Sequence, residues 1–181
     1  MPKRDDDKAA SRFLNMLRRI SAGLEQQQRR IIERAAHAPR ILPDLPYAVI
    51  DLTGDTGNDL DYYIYELARL QDIGKSIIKR FGQPAELIQA QVAFDAGIPN
   101  LRTIRNPLTH PNDNDKLDEV AWFSSAVKLK RDGTVENLVD PRYHQHDVAM
   151  AYHSALTSYL RALLKVSIAA GPVASPSRGD T

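Results

Sequence analysis

The chain has no cysteine. That absence excludes disulfide scaffolds, thiolate zinc sites and cysteine nucleophiles together, and it suits a reducing compartment. No run of 18 apolar residues occurs, so no transmembrane helix is expected. The start, MPKRDDDKAASRF, is charged and has no apolar segment, so no secretory signal is expected. An excess of one charge is also missing. Lys and Arg total 24, Asp and Glu total 23, and the net charge is +1. A strongly basic nucleic-acid glove and an acidic disordered tail are thereby disfavoured. There is no Gly-rich phosphate loop, nucleophile elbow or H-E-x-x-H metal motif. Together these absences predict a cytoplasmic protein with no membrane span, no metal and no organic cofactor.

What is present is enough chain for one domain with its own core: 181 residues, expected to form a single helical unit over 1–169. The tail GPVASPSRGDT is rich in Pro, Gly and Ser, so 170–181 is expected to be disordered. Among the basic residues 16 are Arg and 8 are Lys, a bias that suits a bidentate grip on phosphate or carboxylate but also follows from a GC-rich genome.

Residues 1–7 read as a frayed start, and helical periodicity runs from about Asp7 to Ala38. Phe13, Leu17, Ile20, Leu24 and Ile31 form the stripe of a helix buried on one side. Such a length suits a helix that projects or pairs with a partner helix, although Gln27 breaks the seam an extended coiled coil needs. Pro39, Pro43 and Pro46 end it. A second helix is expected from about Leu60 to Arg80, with Asn58 or Asp59 as N-cap and Gly82 as C-terminal stop. Its buried side reads Leu60, Ile64, Leu67, Leu70, Ile77, Ile78 and Phe81. Pro84 opens a third helical segment carrying Leu87, Ile88, Val92 and Phe94, broken at Gly97 and Pro99. Residues 119–139 favour strands: EVAWFSSAVKLK and TVENLVD, joined at Arg131-Asp132-Gly133, predict a β-hairpin. A last helix runs from about Asp147 to Val166. The expected architecture is mainly α, an up-and-down bundle of four to five helices with the hairpin inserted before the last one.

One segment concentrates chemistry. Arg105-Asn106-Pro107-Leu108-Thr109-His110 follows a helix and holds three functional side chains within six residues. Cleaving an RNA backbone without a metal requires deprotonating a 2′-hydroxyl, protonating the 5′-leaving oxygen and stabilising charge on the phosphoryl group. Histidine titrates near neutrality and shuttles the proton. Arginine holds phosphate oxygens in a planar fork. Asparagine orients the histidine or the phosphate through its amide. With 16 Arg, 7 Asn and 5 His, the spacing R-N-x-x-x-H is expected by chance about 0.02 times. Arg30 and His37, spaced by six residues inside the first helix, form a decoy of the looser Arg/His pattern.

This segment resembles the R-x4-6-H signature of the HEPN superfamily, small helical-bundle proteins among which are RNases of toxin–antitoxin, abortive-infection and CRISPR systems. The resemblance implies that Arg105 and His110 are the catalytic pair, with Asn106 the associated polar residue. It also implies a homodimer whose two motifs face one groove, no metal, and a 2′,3′-cyclic phosphate product. Arg102, one helical turn earlier, is the candidate for an added RNA phosphate contact. Pro107 and Pro111 flank the motif, so Arg105 is expected to end a helix and His110 to sit in a turn. A subgroup of toxins carries Tyr two residues after the His, where a nucleotidyltransferase antitoxin modifies it. Here that position is Asn112, so that partner is not inferred; an antitoxin protein of another kind stays open as a partner.

Every one of these residues has a structural alternative. Arg105 can clamp a helix end, Asn106 can cap a turn before Pro107, and His110 can bond a carbonyl. His144, His146 and His153 sit near Asp147 on the last helix. They read either as a metal-chelating group or, with better support, as a polar first turn; His153 could also assist catalysis from the groove. Glu66 and Asp72 are candidates for an acidic group but read better as solvated carboxylates. Tyr62, Tyr63 and Tyr65 suggest a base-stacking platform, with Tyr63 on the buried stripe. Arg30 and Arg34 are further candidates for phosphate contact. Three readings follow: a HEPN-type endoribonuclease, a non-catalytic dimeric bundle that binds a protein or nucleic acid, and a DNA-binding regulator. The last has no helix-turn-helix to support it.

Overall fold

The computed structural model describes residues 2–37, 55–99, 101, 104, 120–124, 127–130, 135–137 and 144–169, with side chains over 5–33, 59–99, 101, 104 and 144–166. Four helices carry it: α1 (Pro2–His37), α2 (Asp55–Phe81), α3 (Ala85–Gly97) and α4 (His144–Ala169). No helix among the described residues is long and apolar enough to cross a membrane.

α1 begins five residues before the expected start, so the segment read as frayed is helical from Pro2. Three features suit it. Proline suits the first helical turn, where its missing N–H is not needed. Asp5 in that turn offsets the positive end of the helix dipole, and Asp6 is held by Arg80 across the bundle at 3.0 Å. The predicted stripe packs inward: Leu17, Ile20 and Leu24 are fully buried, Ile31 nearly so, and Phe13 packs against the core edge-on to Phe81. Rather than projecting, α1 lies along both α2 and α4.

α2 also starts earlier than expected, at Asp55. Asp59 is therefore inside the helix instead of capping it. It is 4 % exposed and faces Arg30 of α1 at 3.5 Å. Burying a carboxylate is costly unless it is paired, so this cross-helix cation fixes where the α1–α2 seam opens. At the other end Gly82 adopts φ +103, a left-handed conformation that glycine accepts freely, and its N–H bonds the Ile78 carbonyl at 3.0 Å.

α3 follows at once, with Pro84 extended before its first turn. Only Leu87 and Phe94, seven residues apart and on one face, are buried. Ile88 and Val92 point the other way and are 40 % and 62 % exposed, so the expected apolar set splits between two faces. Phe94 stacks near Tyr152 of α4, ring centres 4.9 Å apart. α4 supplies Ala149, Tyr152, Leu156 and Leu160 to the same core. At Gly74 of α2 a Cβ would collide with the Tyr152 ring, so a glycine lets α2 and α4 approach there.

Contacts across the bundle give helix directions. Asp6 meets Arg80, Gly23 lies against Glu66 and Arg30 meets Asp59, so α1 and α2 run antiparallel. Leu17 meets His153, and α3 meets α4 through Phe94–Tyr152 and Gly97–Val148. Between α3 and α4, the backbone shows three short strands: β1 (Val120–Ser124), β2 (Val127–Lys130) and β3 (Val135–Asn137), paired antiparallel in that order. Arg131, Asp132 and Gly133, read as the hairpin turn, lie outside the described residues, as does the tail 170–181.

Candidate functional site

Arg102, Arg105, Asn106 and His110 lie outside the described residues. Their approach is described. Leu101 and Ile104 are helical and 2 % and 4 % exposed, part of the one hydrophobic core. A spacing of three puts both on one helix face, and burying that face anchors the chain directly before the motif.

The remaining titratable groups fall into an inner and an outer set. In the inner set, His146 opens α4 and is only 8 % exposed. Its Nδ1 lies 3.0 Å from the Tyr63 hydroxyl of α2. Burial lowers the His146 pKa, against opposing pulls from Asp147 and then Glu25. Burial, helped by Asp147, raises that of Tyr63 well above the ordinary phenol value. The phenol is thus protonated, and it shares a hydrogen bond with the imidazole. Lower on α4, His153 Nε2 donates to the Leu17 carbonyl of α1 at 3.1 Å, and burial again lowers its pKa. These two histidines tie α4 to α2 and α1. Each has one ring nitrogen committed to a partner on another helix. They join no metal centre: no group of three or more His, Cys, Asp or Glu suited to a metal occurs among the described residues.

Tyr152 is the counterexample within the core. It is fully buried, and its hydroxyl has no hydrogen-bond partner in the structure. Burial raises its pKa, with Asp95 adding to the effect.

The outer set lies along the α1–α2 seam. Glu66, read as a solvated carboxylate, is half-buried against Gly23 and accepts two bonds from Arg69 Nη1 at 2.9 and 3.1 Å. The Arg69 guanidinium sits 5.9 Å from the centre of the Tyr65 ring. Of the three tyrosines read as a platform, Tyr63 is buried while Tyr62 and Tyr65 are 61 % and 46 % exposed. Where α1 begins and α2 ends, Asp5, Lys8, Ala9, Arg12 and Arg80 line an open cleft of about 290 Å³. Arg80 is fixed there by Asp6 Oδ1 at 3.0 Å and the Asp5 carbonyl at 3.4 Å. The sequence reading missed this cleft because Arg80 is 68 residues from Arg12; only the antiparallel helix pairing joins them. The signal available was the repeat of cations at Lys8, Arg12 and Arg19, one face of α1. No protein-family model, no characterised protein and no solved structure matches this chain.

Proposed function

We propose that this protein is a metal-independent endoribonuclease of the HEPN type. In this reading Arg105 holds the scissile phosphate, His110 moves the proton between the 2′-hydroxyl and the leaving oxygen, and Asn106 orients the pair. Arg102 adds a phosphate contact, and the product carries a 2′,3′-cyclic phosphate. The protein works as a homodimer in the cytoplasm, as a toxin or phage-defence effector, with an antitoxin as a further partner. The short β segment, which folds the expected first strand 119–130 back on itself as β1 and β2, is an insert before the last helix of an up-and-down bundle. The observation that carries the proposal is the R-N-x-x-x-H segment, which begins right after the buried residues Leu101 and Ile104 of a helical core.

The test is cleavage of total RNA by the purified chain in EDTA. His110→Ala is expected to abolish cleavage, and a His37→Ala control in the same preparation to retain it. Equal activity in both variants assigns the cleavage to another source and overturns the proposal.

One observation favours a second reading, a bundle that dimerises and binds without cutting. Ile88 and Val92 leave an apolar strip on the outward face of α3. Such a protein would sediment as a dimer that Val92→Asp dissociates, and it would leave RNA intact.

A further inference from the structure

We infer that the outward seam between α1 and α2 is a binding track for single-stranded RNA, built from residues other than Arg105 and His110. The inference deepens the nuclease reading and rests on it only for choosing RNA among polyanions. Three observations carry it. First, Lys8, Arg12 and Arg19 share one exposed face of α1, and none pairs with a carboxylate among the described residues. Second, the two helices make a concave end to that row: the 290 Å³ cleft with Arg80 held in place by Asp6. Third, further along the same seam stand the exposed rings of Tyr62 and Tyr65, with Arg69 against Tyr65.

The neighbouring carboxylates cancel only part of the charge. Glu66, Asp6 and Asp59 pair with Arg69, Arg80 and Arg30, and Asp5 also lines the cleft, while Lys8, Arg12 and Arg19 have no such ion pair among the described residues. From Lys8 to Arg30 the seam runs about 33 Å at 1.5 Å per residue. Cations that grip phosphates, followed by rings that stack bases, are the two components a single strand requires. A duplex hides its base faces and would leave the tyrosines unused. A membrane would use the cations, but Met16 is the single large exposed aliphatic side chain among the described residues between Lys8 and Arg30.

The test uses the full chain with His110→Ala, so that RNA stays intact, and follows the fluorescence anisotropy of a labelled RNA of about ten nucleotides. Adding Arg12→Ala with Arg80→Ala is expected to weaken binding about tenfold or more. It should also reduce the slope of log affinity against log salt by about 1.4, two single-strand phosphate contacts. Tyr62→Ala with Tyr65→Ala is expected to weaken binding about tenfold while leaving that slope unchanged. Arg161→Ala with Lys165→Ala, exposed cations on α4, should do neither. Circular dichroism melts confirm that each variant is folded.

Equal losses in the α4 control, or full binding by both seam variants, overturn the track. So does a seam that captures phosphatidylserine–phosphatidylcholine vesicles in an Arg12-dependent way but not RNA. The two proposals fail separately. RNA binding that depends on the seam, in a wild-type chain that does not cleave, keeps the track and removes the nuclease. Cleavage that depends on His110 but is indifferent to the seam variants does the reverse.

Discussion

α2 presents two kinds of tyrosine within four residues. Tyr63 faces inward, is fully buried and bonds His146 of α4; Tyr62 and Tyr65 face outward on the α1–α2 seam. The sequence Tyr-Tyr-Ile-Tyr does not announce the difference; helical geometry does, by rotating adjacent residues about 100° apart. The inward phenol carries its polar end into a place where water cannot satisfy it, so it must find a partner. The outward phenols have no such need, and Tyr65 carries the Arg69 guanidinium against its ring. Inside this bundle, therefore, titratable groups serve as ties between helices. Outside it, they serve as surface chemistry. Substituting each side should separate stability from binding.

The largest expected effect is on the inner side. Tyr63→Ala removes a fully buried aromatic ring and should cost about 3–5 kcal/mol in a urea titration. Tyr62→Ala, one residue away, should lie within about 0.5 kcal/mol of the parent. Similar losses at both positions would break the comparison. Tyr63→Phe isolates the hydroxyl. It keeps the ring but leaves His146 Nδ1 without its partner, and about 1–3 kcal/mol should be lost.

Next comes pH. His146 and His153 both have pKa values lowered from 6.5 by burial. The unfolded chain therefore takes up protons at a higher pH than the folded one. Stability from these groups is complete above the unfolded value and declines as pH falls below about 6.5. Denaturation midpoints should drop between pH 7.5 and 5.5, and His146→Asn with His153→Gln should flatten that decline. A wild-type midpoint that rises on acidification would contradict the buried, neutral assignment.

Tyr152 sharpens the rule from the opposite direction. It is as buried as Tyr63, yet its hydroxyl has no partner. Removing an unsatisfied buried group should help, so Tyr152→Phe is expected to stabilise by about 1 kcal/mol, where Tyr63→Phe destabilises. The paired measurement is decisive because the chemical change is identical at both sites.

These contrasts also show which features a sequence can disclose. Leu17, Ile20 and Leu24 were readable because a buried stripe is a local, periodic signal. Gly82 was readable as a stop because its left-handed φ is a local requirement. Asp59 was misread as a cap because its partner, Arg30, belongs to another helix. Ile88 and Val92 were grouped with Leu87 and Phe94 by composition, although spacing sets them on opposite faces. The Tyr63–His146 bond spans 83 residues and leaves no local trace. For the site, the Arg105–His110 spacing was visible in the sequence and its placement lies outside the described residues, whereas the cleft at Arg80 arises only when α1 and α2 pair.

The smallest expected effect tests whether the outer cluster has a structural role at all. Asp6 and Arg80 form an ion pair at 3.0 Å, but their side chains are 51 % and 44 % exposed. Water already solvates both charges, and holding two long side chains together costs entropy. Such pairs contribute about 0–1 kcal/mol. Asp6→Ala should therefore shift the urea midpoint slightly and leave the slope unchanged. The shift should shrink further in salt, since exposed charges are screened beyond a Debye length of about 10 Å at 0.1 M. A loss as large as that of Tyr63→Phe would mean that the N-terminal turn of α1 is pinned by this pair. The outer face would then be scaffold, and the division between an inside that holds and an outside that binds would not stand.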